Sequence, residues 1–183
     1  MKNMLDSIFF TRLFVSERNQ IALMAEVKSP TRISLRLFAT KSLRNEEFMR
    51  IMVMDGQGGG VGRSLLEALK ERFPEAELLA VGTNATATAN MMKSGVTNGA
   101  TGENAVVYNS KHVDVIAGPV GIVMANAMLG EITPAMAEAV TSNGAKVVLI
   151  PMSKCHATIV GIEGKRLGEY IAEAADEIAR MYS

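Results

Sequence analysis

One stretch of bare backbone, set between two apolar patterns of different period, constrains this chain most. RIMVMD, residues 50–55, is an apolar run too short for a helix and reads as a buried strand. Residues 56–62, GQGGGVG, follow at once and place five glycines in seven positions. Leu65, Leu66, Leu69 and Phe73 then recur at the spacing of a helix face, and Pro74 stops the run. A strand, a glycine loop and a helix in direct succession put that loop at the carboxyl edge of a sheet. Ligands of open α/β sheets sit at that edge.

The rest of the chain repeats the alternation. ELLAVGT reads as a second strand. Thr86 or Thr88 is expected to cap a short helix that stops at Gly95 in a left-handed conformation. TGENAVVYN reads as another short helix, opened by Thr101, and VDVIAGP as a third strand ended by Pro119. GIVMANAMLG is apolar nearly all round, which predicts a buried helix over 121–129. Thr133 followed by Pro134 predicts an N-cap and first helical residue, with the helix running to about Thr141. KVVLI reads as a fourth strand, ATIVGI as a fifth, and RLGEYIAEAADEIARMY as a C-terminal helix with Leu167, Ile171, Ala174 and Ile178 on one face. Strands that are apolar throughout and alternate with helices mean a sheet covered on both faces. The expected fold is a three-layer αβα sandwich, Rossmann-like, with a mostly parallel sheet of about five strands.

The first 48 residues are of another character. All sixteen glycines lie at or after Gly56, and five of the six phenylalanines at or before Phe48. Residues 1–49 carry eight Lys/Arg against five Asp/Glu. This extension admits three readings: a helix with two strand-like pieces (QIALMAEV and RISLRLFA), a basic targeting segment, or a mis-assigned start with translation beginning at Met49. The third is preferred, which leaves 49–183 as the nucleotide-binding domain. For the whole chain the formal net charge is zero. That argues against nucleic acid as a partner, because such a surface needs a basic excess. No apolar run reaches the roughly 18 residues of a membrane span. A single cysteine, Cys155, excludes an intrachain disulfide and a multi-cysteine zinc site, and a reducing cytoplasm is the expected setting.

Glycine admits positive φ and lets a phosphate approach the main chain without meeting a Cβ. Free amides and the helix dipole then favour an anion. The candidate binding residues are therefore Asp55, Gly56, Gln57, Gly58, Gly59, Gly60 and Gly62. Thr83 and Asn84 at the end of strand two are placed to reach a sugar or base, and Gly118 and Gly121 form a second backbone wall. Asp55 is repelled by a phosphate unless it holds a metal or caps loop amides; capping is the simpler role. Gly56, Gly60 and Gly62 fit G-x-x-x-G-x-G, the spacing of the short-chain dehydrogenase loop. G-x-G-x-x-G fails at Val61, and a P-loop fails at Gln57 and Arg63. Two further features weaken a dehydrogenase: strand two ends without the acidic residue that grips ribose, and Tyr108 and Lys111 stand one residue short of the Tyr/Lys spacing. No catalytic residue is assigned. Asp55 and Cys155 are the candidates, although neighbouring Cys155 and His156 point apart in an extended chain. The scattered methionines read as core filler.

Further blocks complete the pattern: GTNATAT at 82–88, GATGENA at 99–105, GPVGIV at 118–123, MLGEITP at 128–134, and Ile150-Pro151 with Cys155 and Ile159-Val160-Gly161. With the glycine loop they resemble an uncharacterised bacterial family, the domain of unknown function 3842, over residues 50–180. The resemblance implies a Rossmann-like fold and carries no activity with it. The leading expectation is a nucleotide or another phosphorylated metabolite at the glycine loop. Gly59→Asp is expected to abolish binding and leave folding intact. The alternatives are a non-catalytic sensor or homo-oligomeric assembly protein, with a homodimer surface on the apolar helix 121–129, and a small NAD(P)-dependent oxidoreductase.

Overall fold

The computed structural model describes residues 48–152, 158–162 and 164–182, together with the backbone at Val15–Ser16 and Gln20–Ile21. The chain divides into two units, Met1–Glu46 and Glu47–Ser183. In the first, β1 (Val15–Ser16) and β2 (Gln20–Ile21) pair antiparallel, with Val15 opposite Ile21. β2 falls within the expected strand QIALMAEV. RISLRLFA and the expected N-terminal helix lie outside the described residues.

The second unit alternates strand and helix: β3 (Arg50–Asp55), α1 (Gly60–Arg72), β4 (Glu77–Gly82), α2 (Ala85–Met92), β5 (Asn98–Thr101), α3 (Glu103–Asn109) and β6 (Val115–Pro119). A 3-10 turn (Val120–Val123), α4 (Pro134–Thr141), β7 (Lys146–Ile150) and α5 (Leu167–Met181) complete it. The five strands are all parallel, in the order β5-β4-β3-β6-β7. The chain steps outward from β3 to β4 and β5, then returns to the other side of β3 for β6 and β7. The carboxyl ends of β3 and β6 therefore flank the point where strand order reverses, which opens a crevice in doubly wound sheets.

Alternate strand residues feed two cores. Ile51, Val53, Leu78, Ala80, Val115 and Ala117 pack with Leu65, Leu66 and Leu69 of α1 and Ile171 and Ile178 of α5. Met52, Met54, Val81 and Ile116 pack on the other face with Val106 of α3, Ile122, Ile132, and Met136 and Val140 of α4. Helices thus cover both sides, giving the three-layer Rossmann-like sandwich. No helix among the described residues is long and apolar enough to cross a membrane.

Several elements differ from expectation. The apolar helix over 121–129 does not form. After the 3-10 turn the chain makes tight turns with Asn126, Met128, Leu129 and Gly130 all at positive φ. Its apolar residues serve different ends: Ile122 is buried, whereas Leu129 is 96% exposed. ATIVGI is not the fifth strand; residues 158–162 are irregular, with a turn at Val160–Gly161, and Ala157 lies outside the described residues. The fifth strand is instead β5, whose sequence NGAT gives no apolar signal because it is an edge strand held by main-chain bonds to β4. α2 is capped by Asn84, whose Oδ1 accepts from Ala87 N at 2.8 Å, and not by Thr86 or Thr88. Thr101 ends β5, and Gly102 at φ +92 opens α3. Gly95 does take φ +81 after α2, and Thr133 does cap α4, accepting from Met136 N at 3.1 Å.

Candidate functional site

The loop from Asp55 to Gly60 is built around a buried carboxylate. Asp55 Oδ1 accepts from Gly56 N at 2.8 Å and Oδ2 from Gly62 N at 2.7 Å, so the side chain caps both ends of the glycine run. Burial pushes its pKa up, loop amides oppose the shift, and the nearby Glu131 charge adds to it. A carboxylate with both oxygens committed to amides is a loop cap, the simpler of its two expected roles.

The five glycines divide by what surrounds them. A Cβ on Gly59 would stand 2.4 Å from Ala87 O, and the residue sits at φ +65. A Cβ on Gly62 would press on Asp55 Cβ at 2.8 Å, and one on Gly56 on Met128 Sδ at 2.6 Å. Gly59 is required by main-chain contact and its left-handed φ, Gly62 is crowded by Asp55 and Met91, and Gly56 is crowded by side-chain ends alone. Gly59→Asp therefore disturbs the fold itself, contrary to the sequence-based expectation. Gly58 and Gly60 differ: a Cβ on either meets nothing within 4 Å, and neither has a positive φ. Their amides donate to no described residue. Across the reversal point Gly118 is fixed by close strand approach, its Cβ position being 2.2 Å from Met54 O. Gly121 lies under Met128.

Thr83 and Asn84 do meet the glycine loop, Asn84 directly and both through a residue that the sequence did not single out. Glu131, in the turn before α4, reaches over the carboxyl ends of β3 and β4. Its Oε2 accepts from Gln57 N at 2.8 Å, from Asn84 Nδ2 at 2.9 Å and from Thr83 Oγ1. These three donors outweigh partial desolvation and hold its pKa below the usual carboxylate range. Asn84 Nδ2 also donates to Gln57 O at 3.1 Å, and Asn90 Nδ2 to Gly58 O at 2.8 Å, which fixes the loop against α2. In the sequence Glu131 stands only within the MLGEITP block at 128–134. A reach of 74 residues to Gln57 has no local signal.

A family model, the domain of unknown function DUF3842, matches residues 50–183. The chain belongs to this family. The match begins at the first residue of β3 and takes in the whole sheet, so the glycine loop and the Glu131 turn are both parts of the DUF3842 domain. No curated protein matches the chain. No solved structure matches it either.

Elsewhere on the DUF3842 domain, an apolar hollow of about 300 Å³ lies at the ends of β6 and β7, lined by Val120, Leu149, Pro151, Ile159 and Ile162. Cys155 and His156 lie outside the described residues. His112 is exposed, with Nδ1 2.7 Å from Tyr108 O. Among the described residues no cluster of His, Cys, Asp or Glu could hold a metal ion.

Proposed function

We propose that the domain binds a nucleotide or another phosphorylated metabolite through the main chain of Gly58 and Gly60. One observation carries this reading: these two glycines face open space and have no steric or dihedral reason to be glycine. Gly60 is also the first residue of α1, where alanine would be favoured over an unneeded glycine by about 0.4–1 kcal/mol. Close approach of a ligand to the main chain accounts for both. The first turn of α1 carries no acidic side chain of its own; Asp55 takes the amide of Gly62 there and leaves the amide of Gly60 to an anion. Asp55 is turned inward onto loop amides.

Gly60→Asp separates binding from folding. An aspartate at the first helical position complements the dipole, so the melting temperature should hold or rise. Its charge occupies the anion's place. Isothermal titration with inorganic pyrophosphate and with ADP should show binding to the wild-type chain and none to this variant. Equal binding by the two would remove the site from Gly58 and Gly60.

A further inference from the structure

The Glu131 carboxylate is held from one side only. All three donors converge on Oε2, and Oε1 has no partner among the described residues. Its contact at Gln57 N is one residue along the loop from the open amide of Gly58. Among the described residues no cation accompanies it: the groups acting on it are the Thr83 hydroxyl, the Gln57 amide and the Asn84 side chain. Thr83 and Asn84 spend their donors on Glu131 and the loop, and Asn84 Oδ1 caps α2. Among the groups that meet the loop here, Glu131 thus presents a fixed, charged acceptor beside the phosphate position.

A second phosphate would be repelled there, whereas a hydroxyl would be welcomed. An ionised carboxylate accepts hydrogen bonds and donates none, and its bonds from hydroxyls are stronger than neutral ones. Two adjacent hydroxyls can share such a group. We infer that Glu131 is the hydroxyl-binding residue of this site and that the phosphorylated ligand carries a vicinal diol, as a ribose does. This rests on the phosphate reading above and narrows it to ribonucleotides and sugar phosphates with a free diol. The carboxylate that the end of β4 lacks in sequence is supplied there from across the reversal point.

The test compares the wild-type chain with Glu131→Gln, using three kinds of probe: the four ribonucleoside diphosphates, their 2′,3′-dideoxy counterparts, and inorganic pyrophosphate. Glu131→Gln should weaken the bound ribonucleotide by about 10- to 100-fold, the range for hydrogen bonds to a charged group. Pyrophosphate affinity should stay as it was. The dideoxy probes should bind the wild-type chain weakly and be indifferent to the substitution. The ribo-to-dideoxy ratio is measured within each variant, so a partial loss of fold does not alter it. An unchanged ratio in Glu131→Gln would overturn the assignment and leave the phosphate site standing. Tighter pyrophosphate binding by the variant would also overturn it, making Glu131 a competitor for the anion. Failure of the wild-type chain to bind any probe, pyrophosphate included, would remove both readings together.

Discussion

Asp55 and Glu131 flank one loop, carry the same charge when ionised, and are pushed in opposite directions. Asp55 is buried, so its folded pKa is raised. The stability it contributes is fully present below its unfolded value, near 3.8, and is lost as pH rises through the folded value. Glu131 is held ionised by three donors, and its folded pKa is lowered. Its contribution is present above about 4.5 and is lost as pH falls through the folded value. Thermal melts of Glu131→Gln should therefore fall below wild type at neutral pH and converge with it in acid. A gap that widens in acid would contradict this. The glycines give a second contrast. Gly60→Ala should raise stability by about 0.4–1 kcal/mol, because the position is open and its φ is not left-handed. Gly59→Ala should lower it by roughly 3 kcal/mol or more, through a left-handed φ and a collision with the Ala87 main chain. Denaturant unfolding of the two variants distinguishes them. Sequence announced this loop by its glycines, but not which of them packing requires, since that depends on α2 and on Met128 from distant parts of the chain.

Among the elements, α1, α4 and α5 were readable because each carries its own instructions: an apolar stripe, a cap or a stop. Thr133 and Pro134 mark the start of α4 in the sequence and begin it in the structure, and Thr133→Ala should cost about 1 kcal/mol in a chemical melt. β5 was not readable, because NGAT owes its place to the main chain of β4 and to neighbours such as Thr88, whose Oγ1 lies 2.7 Å from Thr101 Oγ1. The 121–129 segment misleads in the other direction. Its composition suits a buried helix, yet left-handed residues fold it into turns closed by local bonds such as Asn126 N to Ile132 O at 2.7 Å. Leu129 is the clearest case, being left-handed and almost fully solvated. Leu129→Asn should stabilise the chain by about 0.5–1 kcal/mol, because asparagine tolerates this conformation and no packing is given up. Unfolding midpoints for the pair decide it; a loss of stability would mean that Leu129 is covered by something in solution.

In the molecule as a whole, the sheet and both cores described belong to one unit, Glu47–Ser183. A chain starting at Glu47 should therefore give a cooperative thermal transition and an α/β circular dichroism spectrum; a broad, non-cooperative melt would show that the unit is incomplete. The layering was readable from strand–helix alternation alone. Strand order was not, because it depends on where the chain recrosses β3, and no local pattern records that. The same recrossing brings Glu131 to Thr83 and Asn84, which belong to the opposite half of the sheet. Positions 83, 84 and 131 are therefore not free to drift independently. Across a deep family alignment they should covary as a trio, with loss of the acid at 131 accompanied by loss of its donors.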